Sequence, residues 1–123
     1  MLNKNEIMAF VPTIDQVKAK IFYKDILGLT LVAEDNFALE FDANGTTLRV
    51  SSVREFQPYP FTVLGWKTTD IESDIKQLNS KGIHFEKYGF FEQDELGIWI
   101  APGGTKVAWF KDPDGNTLSL SGS

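Results

Sequence analysis

The feature that most constrains this chain is an internal repeat. The first half carries Thr13-Ile14-Asp15 ahead of a helical pattern and later DANGTTLRV at 42–50; the second carries Thr68-Thr69-Asp70 ahead of another helical pattern and later DPDGNTLSL at 112–120. Two copies of one supersecondary unit must each form the same elements and bury the same kind of face, which removes most other folds for 123 residues. The offset is 55 between Asp15 and Asp70 and 70 between the two D-x-[ND]-G turns, so the second copy is longer in its middle, where GFFEQDELG reads as a loop.

Each half reads as a strand, a helix and three further strands. Residues 8–13 alternate as a strand does, and Asp15 is placed to cap a helix with Ala19, Phe22, Tyr23 and Ile26 on one face and Gly28 as its stop. Strands follow near 30–34, 37–42 and 46–52, the last two joined by Asn44-Gly45, a strong hairpin signal. Pro58 and Pro60 mark a linker at about 56–60, between a first module of about 6–55 and a second of about 61–121. The second module predicts a strand at 61–67, a helix from about 71–81 with Ile71, Ile75 and Leu78 inward and Gly82 as stop, and strands near 84–88, 97–101, 105–111 and 117–121. The expectation is one α+β domain over 1–123, made of duplicated βαβββ modules.

Composition narrows the function. A chain of this size buries roughly two thirds of its unfolded surface, so a core forms without staples. With no cysteine, thiolate zinc sites, nucleophilic thiols and redox switches are excluded. A formal charge of −5 repels a phosphate backbone, so no nucleic acid partner is expected. The N-terminal stretch lacks the apolar run of a signal peptide, and no stretch approaches the roughly 20 apolar residues of a membrane span. A cytoplasmic protein with no membrane partner is the expectation. Pro102-Gly103-Gly104-Thr105-Lys106 lacks the spacing of a phosphate loop and reads as a turn, and DPDGN lacks the downstream acids of a calcium loop and reads as a hairpin turn.

Taken together, FYKDILGL at 22–29, the Thr-Thr-Asp before the second helix, Lys81-Gly82-Ile83 and FKDPDGN at 110–116 resemble the vicinal oxygen chelate superfamily of glyoxalases, bleomycin resistance proteins and extradiol dioxygenases. The resemblance spans nearly the whole chain. It implies paired modules whose curved mixed sheets enclose a cleft, often completed in a homodimer. Edge strands left unpaired in a lone copy point to the same homodimer.

In metal-dependent members, the resemblance implies, ligands come from the first and last strand of each module. Those positions fall here on Met8 and Arg49 in the first module and on Val63 and Ser119 in the second. None is a usual ligand for a divalent metal, and a shift of one residue gives only apolar residues or Thr62. The single histidine, His84, lies on a different strand. The expectation is a member without metal or other cofactor, and no catalytic pair emerges.

Alternation then sorts the faces. Met8 and Phe10 share a face with Arg49, with Ala38 and Glu40 inward beside them; Val63, Gly65 and Lys67 do so with Ser119 in the second module. Carrying the offset of 70 across puts Ala108 and Phe110 inward and Val107 and Trp109 outward, an assignment that a bulge at DPDG would reverse, with Trp66 and Trp109 as core and Glu92-Gln93-Asp94-Glu95 as a solvated loop. If Asn44-Gly45 forms a tight turn, Glu40 stands opposite Arg49, and an ion pair replaces the metal position. Met8, Phe10, Glu40, Arg49, Val63, Phe110 and Ser119 are thus the expected ligand-binding residues for a small amphipathic molecule. The inward Arg49 argues against bleomycin itself. The alternative is a lyase or dioxygenase-type enzyme of the same superfamily, working through unrecognised groups or through Glu40 or His84 as acid–base.

Overall fold

Identical local chemistry starts both helices. In the computed structural model, which describes residues 1–123, the Asp15 carboxylate accepts the backbone N–H groups of Val17 and Lys18, each at 3.1 Å, and the Asp70 carboxylate accepts that of Ser73 at 3.1 Å. In each copy the threonine two residues earlier accepts the aspartate's own N–H: Thr13 Oγ1 from Asp15 and Thr68 Oγ1 from Asp70, both at 3.1 Å. These bonds satisfy donors a helix N-terminus otherwise leaves unpaired, so the recurring Thr-x-Asp is a capping device.

The chain divides into two compact units, Met1–Pro58 and Tyr59–Ser123. In the first, strand β1 (Met8–Thr13) leads to helix α1 (Gln16–Lys20), which continues as a wider π-type turn over Ile21–Ile26. Strands β2 (Thr30–Glu34), β3 (Ala38–Ala43) and β4 (Thr46–Ser52) complete a mixed sheet in the order β1-β4-β3-β2. Ala19, Phe22 and Tyr23 from the helical segment are buried with Val11, Leu39, Phe41, Leu48 and Val50 from the sheet, and the Tyr23 and Phe41 rings lie 6.0 Å apart. This apolar layer is the unit's core. It leaves the other side of the sheet, bearing Phe10, Arg49 and Glu40, open.

The second unit repeats the plan. Strand β5 (Thr62–Thr68), helix α2 (Ile71–Ser80) and strands β6 (Trp99–Ile100), β7 (Lys106–Lys111) and β8 (Thr117–Gly122) form a sheet ordered β5-β8-β7-β6. Ile71 and Ile75 of α2 are buried with Leu118, Leu120, Ala108 and Phe110. The result is the α+β architecture of duplicated modules that the repeat implies, two four-stranded mixed sheets with one capped helix each and a short 3-10 turn at Leu2–Lys4 ahead of the first.

Two strand expectations fail in the second unit. Residues 84–88 are not a strand, and the stretch expected at 97–101 pairs only over Trp99–Ile100. A side chain takes over part of the bonding a ladder would supply: Gln93 donates to the carbonyls of Glu86 at 3.0 Å and Gly97 at 2.8 Å and accepts the N–H of Tyr88 at 2.7 Å. Asp94 binds the N–H groups of Leu96 and Ile98, both at 2.9 Å. The segment expected as a solvated loop is exposed at Glu92, Asp94 and Glu95 and is also held by these bonds, with Gln93 at its base.

Candidate functional site

The open face of the first unit is set by the Asn44-Gly45 turn. Asn44 at φ +51° and Gly45 at φ +92° supply the two left-handed residues of a tight hairpin, and Gly45 donates its N–H to Asp42 Oδ1 at 2.9 Å. Ala43 then pairs with Thr46, and counting outward brings Glu40 opposite Arg49. One row of side chains crosses the sheet: Phe10 on β1, Arg49 on β4, Glu40 on β3 and Ala33 on β2. Arg49 Nη1 donates to Glu40 Oε1 at 2.8 Å, each side chain 31% exposed, while Phe10 beside them is 60% exposed and Met8 47%. Beyond the pair lies a small depression of about 60 Å³ lined by Ala33, Asp35 and Ala38. The Asp35 carboxylate accepts the N–H groups of Phe37 and Ala38, which with the nearby Arg49 charge hold it below the usual carboxylate range.

In the second unit the equivalent row reads Gly65, Ser119 and Trp109 on β5, β8 and β7. Here the expectation for Phe110 is corrected. Phe110 pairs with Leu118, is fully buried, and packs against Phe85 at 5.1 Å and Trp66 at 6.4 Å; Trp109, expected outward in the core, is the residue on the open face. The cause is the turn. DPDGN is not a two-residue turn but a loop over 112–116 closed by the Lys111–Thr117 pair. Asp112 holds it by accepting the N–H groups of Asp114 and Asn116, each at 2.9 Å, and the Asn116 amide at 2.8 Å. An odd loop in place of an even one shifts the register by one residue, which moves every side chain of β7 to the other face.

Trp109 donates from Nε1 to Thr62 Oγ1 at 3.2 Å, so its indole reaches from β7 across β8 to β5. Gly65 makes room for this row: a Cβ there would stand 2.4 Å from Ser119 Oγ. Where the first unit has a bulky Phe10 on its first strand, the second has a glycine and draws its bulk from the far side. Val63, the other predicted residue on β5, lies at a register shift between Thr62 and Leu64 and is 41% exposed. Around Trp109 gather rings that the sequence pattern did not assign to a site. Phe91 stacks on Trp109 at 5.5 Å and 5° and on Trp99 at 4.7 Å and 29°, and Tyr88 meets Trp109 edge-on at 5.6 Å. Burial, with a smaller effect of the Glu86 charge, pushes the Tyr88 phenol up. The aromatic run Tyr88, Phe90, Phe91 before a shortened strand was the available signal.

The side chains at the metal positions do not fit a divalent cation. Met8 offers a thioether, Arg49 a cation held by Glu40, Val63 nothing, and Ser119 one hydroxyl beside Gly65. Nowhere do three or more His, Cys, Asp or Glu side chains group so as to hold a metal ion. His84 is exposed, in the segment after Gly82. No helix is long and apolar enough to cross a membrane.

With both units described, the chain can be placed. The family model described as Glyoxalase/Bleomycin resistance protein/Dioxygenase superfamily matches residues 5–120, and the chain belongs to that superfamily. Among solved structures it is similar to a glyoxalase family protein from Enterococcus faecalis, with 25% identity, a TM-score of 0.76, and coverage of 98% of this chain and 99% of that one. It is also similar in fold to a lactoylglutathione lyase from Agrobacterium tumefaciens, at 17% identity and a TM-score of 0.75 over 97% of this chain and 94% of that one. A bleomycin-binding protein complexed with bleomycin shares the fold at 20% identity and a TM-score of 0.75, over 98% of this chain and 99% of the other. No curated protein matches the sequence.

Proposed function

We propose that this protein is a metal-free binding member of the superfamily that holds a small amphipathic molecule with a flat aromatic part. The observation that carries the reading is the indole of Trp109, bonded to Thr62 across the second sheet and joined by Trp99. Aromatic walls with a few fixed polar groups are the usual makeup of a small-molecule site. Within the second unit Val63 supplies further exposed apolar surface; the first unit separately presents Met8 and Phe10 beside the Arg49–Glu40 pair on its own open face. A superfamily neighbour in complex with bleomycin supports small-molecule binding as the kind of function, without extending to that ligand.

The protein acts as a homodimer in this reading, which light scattering at micromolar concentration tests directly. Native mass spectrometry of protein purified without added metal is the main experiment. Retention of a small organic molecule, lost on Trp109→Ala, supports the reading. Stoichiometric zinc, nickel, iron or manganese in the same sample overturns it.

A further inference from the structure

Phe91 combines two properties that do not ordinarily go together. Its ring is stacked on both Trp99 and Trp109, yet it sits in an otherwise exposed stretch between Gly89, Phe90 at 79% exposure, and Glu92. The base of this segment is firmly held by Gln93 and Asp94 through five hydrogen bonds to Glu86, Tyr88, Leu96, Gly97 and Ile98. Of the backbone bonds in the tip, Phe91 N–H to the Tyr88 carbonyl is a long one at 3.2 Å. The tip is therefore attached chiefly by rings, and the base by polar bonds.

We infer that Phe91 is a built-in competitor for the binding site: its ring covers the outer faces of Trp99 and Trp109, and a planar heteroaromatic molecule binds by displacing it while Gln93 keeps the base of the loop in place. This rests on the stacking site proposed above and adds its regulation. Trp109 is tied across the sheet through its Nε1 bond to Thr62, and the indole face stacked against Phe91 is the one assigned to the ligand. A stacked ring pair biases such an equilibrium by about two- to tenfold. Apparent affinity is reduced by the fraction of molecules in the open state, so removing the ring raises affinity by about the same factor. Displacement also makes the site selective, because only a molecule that stacks better than a phenyl ring gains by entering.

The test uses proflavine, a planar heteroaromatic cation, titrated by fluorescence anisotropy into the full-length protein and into Phe91→Leu, Phe91→Ala and Trp109→Ala. Expected is a two- to tenfold tighter binding in both Phe91 variants, with amide-exchange protection of Tyr88 and Ile98 unchanged, and loss of binding in Trp109→Ala. Unchanged or weaker binding in both Phe91 variants, with the parent protein binding normally, overturns the competitor role and leaves the stacking site standing. Loss of Tyr88 and Ile98 protection in Phe91→Leu makes Phe91 a structural ring and also overturns it. Failure of proflavine to bind any of the proteins, or binding indifferent to Trp109→Ala, overturns the stacking site itself and this inference with it.

Discussion

Arg49 and Glu40 meet at 2.8 Å on the open face of the first sheet, the two residues standing directly opposite each other on neighbouring strands. Each is about one third exposed, so solvent screens the pair and its worth lies near the top of the surface range, about 0.5–1 kcal/mol. Arg49→Ala leaves the Glu40 carboxylate without its cation, and Glu40→Gln in the same molecule removes that charge. The double variant is expected to recover part of the loss in urea unfolding. Strict additivity of the two single changes would show that the ion pair contributes nothing.

Gly65 is a second point of strain in the making. Because an added Cβ would lie 2.4 Å from Ser119 Oγ, which must rotate away, and 3.3 Å from its carbonyl oxygen, Gly65→Ala is expected to lower stability by about 1 kcal/mol. Ser119→Ala in the same protein removes the closer atom and returns most of that loss. Thermal unfolding of the three variants measures this, and a Ser119→Ala change that returns none of the loss shows that the Ser119 hydroxyl is not the obstacle.

Gln93 takes three hydrogen bonds at the base of the aromatic loop. Gln93→Ala strands the partly buried N–H of Tyr88 and two carbonyls, a cost of about 2–3 kcal/mol if water does not replace them. The Tyr88 amide should exchange with solvent much faster in this variant, while amides of β8 keep their protection. Uniform loss across the unit would mean that the loop and the sheet unfold together.

The depressed pKa of Asp35 has a defined sign. Since its folded value lies below the 3.8 of the unfolded chain, the carboxylate's bonds to Phe37 and Ala38 add stability that is fully present above about pH 3.8 and fades as pH falls through the folded value. Asp35→Asn should flatten that part of the acid limb. Carbon-detected titration of the Asp35 carboxyl reads the shift itself, and a midpoint at or above 3.8 rules it out.

What could be read from the sequence was local and periodic. Thr-x-Asp announces both helix starts because the cap is built from three consecutive residues, and Asn44-Gly45 fixes its own register, so the Glu40–Arg49 opposition follows by counting. What could not be read depended on side chains acting at a distance. At 84–88 the backbone makes one bond to β7, Glu86 N–H to the Trp109 carbonyl at 2.8 Å, while the Glu86 carbonyl is taken by the Gln93 side chain, and nothing in a residue pattern announces that. The placement of Trp109 on the open face turned on whether Asp112 would gather two backbone N–H groups and an amide into a longer loop. The helical stretch after Lys20 was legible as apolar spacing, but not its widening into a π-type turn that closes with Leu27 N–H on the Phe22 carbonyl at 2.9 Å.

The loop at 112–116 lets a duplicated gene acquire two chemically different surfaces without rewriting either strand. Had the second copy kept the even turn of the first, Phe110 would face Ser119 and Trp109 would lie among the core residues, so the same strand sequence would present a phenyl ring where it now presents an indole. An insertion or deletion in a hairpin is therefore a heritable way to exchange the inside and outside of a strand. For an ancestral protein with two equal halves, one such event is enough to break the symmetry between an ionic pair on one sheet and an aromatic wall on the other.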